Sequence, residues 1–363
     1  MKRIWTRAAA AAALCAVLLS GCSFSSEILS DHSVPADPLT GQALQYPGER
    51  AAAVVIDNAP ASTMQWGIGS ASVVLEAQTE ADAPTSLCLA YPAVSAMPTV
   101  GPVTLGQDLY WRLLSGQQVL PIQRGCDLYT RNFLDYWNLR AVDALETGRN
   151  AFTTGNTDWA SPLWCTNGQS VAKVLGSLSL SSALSEDPAE SADSTQEGDT
   201  PAVPTVPALL PQQTDGHLPD ADVADAVQAA VQFPSGSTTR FAYDTDTGTY
   251  GMLHNDGSPQ LDANTGIQAA FDNLLVLYSA STPRDDGRTL DYDLTMGGGL
   301  WLNGGHLWHI TWTQGTGSTF AFYDADGRPL RILSGRSYIA WLSSLTGEEV
   351  TVQDSAGNDL LQP

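Results

Sequence analysis

The stretch "LWLNGGHLWHITWTQ" (300–314) indicates most directly how this chain folds. Apolar and polar residues alternate on both sides of Asn303-Gly304, and an Asn-Gly pair between two such runs is a strong β-hairpin signal. His306 and His309 are three residues apart, so on a strand they face opposite sides and cannot bind one metal ion together. The sequence therefore predicts a hairpin at this position and no metal site.

Turn signals of the same kind continue through the C-terminal region, residues 219–363. "TTRFAYDTDTGTYGML" (238–253) and "STFAFYDADGRPLRIL" (318–333) each place a glycine-containing turn between two apolar runs. The second half of "ADVADAVQAAVQF" (221–233) alternates as a strand does. We therefore predict mostly antiparallel β hairpins in this region.

The N-terminal region, residues 46–179, combines strand and helix patterns. "AAAVVID" (51–57) and "ASVVLEAQ" (71–78) are β-rich apolar runs typical of buried strands. Apolar residues recur at helical spacing in three further stretches, 105–116, 128–148 and 166–178. The predicted fold class is therefore α+β, with layered mixed sheets and helices in this region and hairpins in the C-terminal one.

A segment of different composition separates the two regions. Residues 180–218 are rich in Ser, Pro, Asp, Glu and Thr and contain almost no aromatic residue. Such a segment buries too little apolar area to offset the entropy lost on ordering. We predict a disordered acidic linker between two domains.

The N-terminus has the features of an export signal. Lys2, Arg3 and Arg7 precede an apolar run of about a dozen residues, too short to span a bilayer. The run ends in "LSGC" (19–22), the pattern of a bacterial lipobox, in which Cys22 is acylated and becomes the new N-terminus. An ordinary signal with an incidental cysteine is the alternative.

This pattern predicts both the processing and the location of the chain. Residues 1–21 form the signal peptide, Cys22 is the lipidation site and residues 22–45 form a polar tether. Acyl chains on Cys22 anchor the mature chain to the outer face of the cytoplasmic membrane. The predicted membrane contact is the lipid itself.

The charge of the chain excludes several classes of partner. The formal net charge is −23, and loss of the signal removes three positive charges and no negative one, which leaves −26. Lys173 is then the only lysine. Nucleic-acid binding needs clustered Lys and Arg, and anionic lipid repels an acidic body. We predict no nucleic-acid partner.

The sequence also lacks G-x-S-x-G and phosphate-loop patterns, and we predict no cofactor.

Three cysteines remain beyond the lipobox. A location outside the membrane permits a disulfide. Cys88 lies in "SLCLAY" (86–91), an apolar run typical of a buried strand. Cys126 and Cys165 are therefore the predicted pair.

The stretch "VVIDNAP" (54–60) is the best candidate for a site. A buried strand ends there in Asp57-Asn58, and strand ends of α/β layers commonly bind ligands. The alternative is structural, with Asn58 bonding to the backbone of the turn.

The ordered set of motifs resembles the YerB-like lipoproteins of Gram-positive bacteria, a family of unknown biochemical function with two signature regions. The motifs that carry the resemblance include "AVVIDNAPAS" (53–62), "GIGSASVVLEA" (67–77), "VGPV" (100–103) and "DGSPQLDANTG" (256–266). The resemblance implies an α+β fold in which sheet layers pack with helices. It also adds Glu76 and Asp262 to Asp57 and Asn58 as candidate binding residues.

The chain is a divergent member by this comparison. The family usually has charged or imidazole groups at several positions that here hold Ser72, Ser86, Thr104, Leu163 and Gln260. This loss favours a non-catalytic binding or scaffold protein with a protein or cell-wall partner, and we predict no catalytic residue. The competing hypothesis is a cell-envelope enzyme or solute-binding protein with a cleft near Asp57, Asn58 and Glu76.

Overall fold

Continuous apolar runs build the central strands of a large sheet, and alternating apolar residues build strands such as Gln228–Gln232, Thr249–Leu253 and Phe320–Tyr323. The computed structural model describes residues 35–59, 64–154, 163–185, 204–315, 317–346 and 348–361. Residues 36–363 cluster into one compact unit. The predicted signal peptide, Cys22 and most of the tether lie outside the described residues. Among the described residues, no helix has the length and apolar character needed to cross a bilayer.

Helices are short and few among the described residues. The α-helices are α1 (Asp108–Leu113), α2 (Leu128–Tyr136), α3 (Ala144–Thr147) and α4 (Gly168–Leu175). Short 3-10 helices cover Ile68–Ser70, Ser115–Gln117, Gly148–Asn150 and Gly176–Leu178.

Strands make up most of the ordered structure. Those before the predicted linker are β1 (Ala52–Asp57), β2 (Val73–Ala77), β3 (Ser86–Tyr91), β4 (Leu120–Gln123), β5 (Val142–Asp143), β6 (Thr153–Thr154) and β7 (Trp164–Cys165). The next are β8 (Gln212–Gln213), β9 (Val223–Ala224), β10 (Gln228–Gln232), β11 (Thr238–Asp244), β12 (Thr249–Leu253), β13 (Ala270–Phe271), β14 (Asn273–Ser279), β15 (Ser281–Pro283) and β16 (Leu290–Tyr292). The last are β17 (Met296–Asn303), β18 (His306–Gln314), β19 (Phe320–Tyr323), β20 (Pro329–Leu330), β21 (Ile332–Leu333), β22 (Ser337–Ser343) and β23 (Glu349–Gln353).

One 12-stranded sheet runs through both predicted regions. Its order is β20-β19-β18-β17-β14-β22-β2-β3-β1-β4-β5, with β9 paired to β18. Strand β22 lies between β14 and β2 and runs parallel to both. A second, five-stranded sheet has the order β13-β12-β11-β10-β23 and is antiparallel throughout. The N-terminal and C-terminal regions are therefore joined through one sheet, and the predicted α+β fold class is confirmed.

Strand β2 shows how the large sheet separates two cores. Val73, Leu75 and Ala77 belong to a core that also contains residues of α1. Val74 faces the other way, into a core that contains apolar residues of the five-stranded sheet. Glu76 follows Val74 by two positions and so faces this second core.

The predicted hairpins at 238–253, 300–314 and 318–333 are confirmed, with a shift of one residue in the second. Asn303 pairs with His306, so the loop is Gly304-Gly305. Both glycines have positive φ, 57° and 77°. A two-residue loop that follows the right-handed twist of its strands needs positive φ at both positions, which glycine adopts without strain. The predicted strand in the second half of 221–233 is confirmed as β10.

The predicted helical stretch 128–148 is only half helical. Helix α2 ends at Tyr136, and Asn138 then adopts a left-handed conformation with φ of 50°. The chain continues into β5, which pairs in parallel with β4. Sheet pairing therefore interrupts the helical stretch at Val142–Asp143, and the short helix α3 follows directly.

The predicted linker is shorter than its composition indicates. Leu209 and Leu210 are each only 1% exposed, and β8 pairs in parallel with β21. Ala183 forms an isolated bridge to Glu49. These flanks belong to the folded body because their few apolar residues reach the core, and residues 186–203 lie outside the described residues.

The predicted disulfide is not formed. Cys88, Cys126 and Cys165 are all free thiols. Cys165 lies on β7 and packs against Gly101, where an added Cβ would be 2.7 Å from its Sγ. Cys126 follows β4 and forms a backbone bridge to Gly106. The two cysteines belong to different local elements and each has its own packing partner.

Candidate functional site

Glu76 is the most unusual residue that the sequence analysis singled out. It lies on β2 in the middle of the large sheet, where it pairs with Leu87 of β3 on one side and with Ala340 of β22 on the other. Its side chain is 0% exposed and faces the five-stranded sheet. A buried carboxyl group requires hydrogen bonds or a change of protonation state to be tolerated.

Uncharged donors satisfy both oxygens of Glu76. Asn58 Nδ2 and Thr85 Oγ1 donate to Oε1, at 2.9 and 2.7 Å. Thr239 Oγ1 and Tyr338 OH donate to Oε2, at 2.8 and 2.5 Å. The four donors come from the end of β1, the start of β3, the facing sheet and β22, so the cluster joins both sheets.

Burial raises the pKa of Glu76 above the ordinary value of a glutamate, because no solvent reaches its charged form. The hydrogen bonds from Tyr338, Thr85, Thr239 and Asn58 act in the opposite direction. Desolvation is the larger effect, since none of the donors carries a positive charge. Glu76 therefore holds its proton to a higher pH than an exposed glutamate does.

The structure places Asp57 and Asn58 beside Glu76 but gives them different roles. Asn58 uses its second Nδ2 hydrogen to bond Thr85 Oγ1 at 2.9 Å, and its Oδ1 accepts from Gln65 Nε2 at 3.0 Å. Asp57 Oδ1 accepts from the backbone N–H of Ala59 at 3.0 Å. Within the described residues, Asn58 bonds the side chains of Glu76, Thr85 and Gln65, which is a structural role with other partners than the turn backbone that the alternative named.

Asp262 lies at a neighbouring turn and not in the Glu76 cluster. Its two oxygens accept from the backbone N–H groups of Gly67, Gly69 and Asn264, at 3.3, 2.7 and 2.7 Å. A Cβ at position 69 would lie 2.9 Å from Asp262 Oδ2, so only glycine permits this contact. Asp262 connects to the other candidates through Gln65, whose backbone forms a bridge to it.

A cleft of about 490 Å³ opens next to this cluster. We call it the 236–261 cleft, because residues 236–239 and 252–261 form its walls together with Asn58 and Ala59. Thr239 belongs both to the cleft wall and to the Glu76 cluster. Glu76 itself is not among the lining residues and lies behind this wall.

A larger cleft, about 1,060 Å³, lies elsewhere, between α2 and the 280–295 segment. Its lining includes Phe133, Trp137 and Gln314 and none of the predicted site residues. Within the part of the chain that the structure describes, no group of three or more potential metal ligands is brought together.

Sequence reasoning missed Gln65, Thr85, Thr239 and Tyr338 as residues of this region, and it named Gln260 only as a departure from the family pattern. Thr239 and Tyr338 lie 163 and 262 positions from Glu76, so no spacing connects them to it. The only local signal was that a charged residue interrupts an otherwise apolar strand, "VVLEA".

Comparison with known proteins gives the family. The model described as "Protein of unknown function (DUF3048) N-terminal domain" matches residues 39–180, and the model of the corresponding C-terminal domain matches residues 229–339. "Putative lipoprotein YerB" of Bacillus subtilis (strain 168) is 25% identical over 348 residues, covering 93% of this chain and 96% of that protein. The crystal structure of the YerB protein from Bacillus subtilis has the same fold, with a TM-score of 0.71 at 19% identity over 87% of this chain and 99% of that one. The chain therefore belongs to the DUF3048 family and carries both of its domains.

Proposed function

We propose that this chain is a lipid-anchored, non-catalytic binding protein on the outer face of the cytoplasmic membrane. The lipobox at residues 19–22 supports the anchor, and so does the similarity to a protein described as a lipoprotein. The mature net charge of −26 favours neutral or cationic partners, such as an envelope protein or an uncharged part of the cell wall.

The burial of Glu76 and its four hydrogen bonds support the non-catalytic part of the proposal. A general acid or base must reach the proton that it transfers, directly or through one water. Glu76 is 0% exposed, and its two oxygens are already bonded by four uncharged donors. The arrangement fits a residue that holds two sheets together.

A second candidate function is solute binding or an enzymatic reaction in the 236–261 cleft. The observation in its favour is that Asn58 and Thr239, both bonded to Glu76, line that cleft. In an enzyme of this kind, the carboxyl group of Glu76 would have to open toward the cleft.

Conservative changes at the two carboxyl groups separate these functions. If the protein is not a catalyst, Asp57→Asn and Glu76→Gln preserve its cellular function, because both keep the shape and most hydrogen bonds of the original side chain. The measurement is complementation of a deletion strain, with melting curves of both variants as the control. Loss of complementation by a variant that melts like the wild type would contradict the non-catalytic role and favour the enzyme hypothesis.

The anchor gives a separate prediction. Cys22→Ala should release the chain from the membrane fraction, because acylation needs the cysteine thiol and the acidic body has no electrostatic attraction to anionic lipid. Metabolic labelling with an alkyne fatty acid checks it, with Cys88→Ala as the matched control that keeps its label. Labelling that survives Cys22→Ala would contradict the lipobox.

A further inference from the structure

The 236–261 cleft contains a buried hydrogen-bond donor with no partner. Gln260 is 2% exposed and lines the cleft, and its Nε2 has no hydrogen-bond partner. Almost all buried polar groups in folded proteins are hydrogen-bonded, so a bare amide at a cleft wall indicates a missing acceptor.

The backbone fixes Gln260 in place. Its N–H donates to Met252 O, and its carbonyl accepts from Ala269 N–H, both at 2.9 Å. The residue is therefore tied to β12 on one side and to the segment before β13 on the other. The backbone at this position is therefore ordered before any ligand binds, and this reduces the entropy lost on binding.

The other lining groups define the chemistry of a ligand. They are mainly hydroxyl and amide groups, from Ser237, Thr238, Thr239, Ser258, Asn58 and Asn255. Among the described lining residues there is no Lys or Arg, His254 is the one imidazole and Asp256 is the one carboxylate. Asp256 already accepts from the backbone and hydroxyl of Ser258, at 2.9 and 2.6 Å. With Asp256 beside it and no permanently charged cation in the described lining, His254 does not make the cleft an anion site, and the hydroxyl and amide groups favour uncharged ligands rich in oxygen.

One wall of the cleft is apolar. Leu253, Pro259 and Leu261 line it, and Leu261 is 46% exposed. Ligand pockets commonly combine apolar surface with a few placed polar groups, and volumes of about 300–1,000 Å³ are usual. A sugar ring has this same division, with hydroxyl groups at its edge and C–H groups on its faces.

We propose that the 236–261 cleft binds an uncharged saccharide, with Gln260 Nε2 donating a hydrogen bond to a ligand oxygen. This inference deepens the binding role proposed above and rests on it. Thr239 lies between the cleft and the Glu76 cluster, because it lines the cleft and its hydroxyl donates to Glu76 Oε2.

Titration calorimetry of the full chain in detergent tests the assignment, with triacetylchitotriose and maltotriose as neutral sugars and an acetylated alanine dipeptide as the peptide comparison. We expect saturable binding of at least one of the two sugars. Gln260→Leu should weaken it by about tenfold or more, since the ligand oxygen loses its buried partner. Gln314→Leu is the matched control and should bind like the wild type: it removes another unpartnered buried amide, which lines the larger cleft.

Several results would overturn the assignment. They are no binding of either sugar, equal affinity of Gln260→Leu and the wild type, loss of affinity in Gln314→Leu, or binding of the dipeptide alone. Melting curves show whether each variant is folded, and Gln260→Asn provides a smaller change that keeps the amide. Analysis of the sugar recovered after titration, for intact or cleaved product, tests the non-catalytic role separately from the assignment of the cleft. A cleaved sugar would contradict the non-catalytic role while leaving the cleft assignment in place.

Discussion

Replacement of Arg336 by alanine should lower the free energy of unfolding by about 3–5 kcal/mol, because three charge-assisted hydrogen bonds are lost together. The guanidinium donates to the backbone carbonyls of Ala71, Ala270 and Ile68, at 2.8, 2.8 and 3.0 Å. These carbonyls belong to the N-terminal turn before β2 and to β13, so one side chain connects both family regions. Urea unfolding of the full chain, followed by tryptophan fluorescence, measures the effect.

Two comparison variants make this test specific. Arg336→Lys keeps the charge but loses the planar arrangement of donors, and we expect about half of the full loss. Arg328→Ala removes an arginine whose side chain is 72% exposed and whose ion pairs lie on the surface, so it should change stability by about 1 kcal/mol or less. If Arg336→Ala and Arg328→Ala are equally mild, Arg336 does not hold the two regions together.

Glu76→Ala should also cost about 3–5 kcal/mol. The change leaves the donors of Asn58, Thr85, Thr239 and Tyr338 facing a small cavity between the two sheets. Glu80→Ala is the control, because that carboxylate forms an ion pair with Arg288, whose side chain is 70% exposed. We expect about 1 kcal/mol or less for the control. Equal losses in the two variants would contradict the structural role of Glu76.

The raised pKa of Glu76 adds a dependence on pH. Its folded pKa lies above the unfolded value, so Glu76 contributes most to stability below the unfolded pKa. That contribution is lost as the pH rises through the folded pKa, with a slope of at most about 1.4 kcal/mol per pH unit. The difference in unfolding free energy between the wild type and Glu76→Gln isolates this group, and a difference that does not change with pH would contradict the raised pKa.

Local signals in the sequence were sufficient for the hairpins and for the layer structure. Apolar and polar residues alternate along 300–314 with the period of a strand, and Gly304 has the positive φ that the turn needs. Residues 142–143 lie within the helical period of 128–148, yet their pairing partner β4 is about twenty positions away, and this pairing makes them a strand. The disulfide prediction used only the elimination of Cys88 and contained no information on where the other two thiols lie.

The site was predictable only in part, because pairing between distant strands brings its residues together. Asp57 and Asn58 follow a recognisable strand, and their position beside Glu76 comes from the pairing of β1 with β3 and of β3 with β2. Thr239 and Tyr338 reach Glu76 from the second sheet and from β22, over separations that leave no periodic trace. Gln260 was singled out only as a position that departs from the family pattern, and the lack of a partner for its amide shows only in the folded chain.

The position of β22 determines when this chain can fold. Residues 337–343 are synthesised after both of their neighbours, and they fill the gap between β14 and β2 in the middle of the large sheet. Until they arrive, both neighbouring strands present open edges, and long-range parallel pairing is a slow step. A chain in which β22 has not yet been made therefore stays incompletely folded. Its acidic charge then helps to keep the waiting chains from associating.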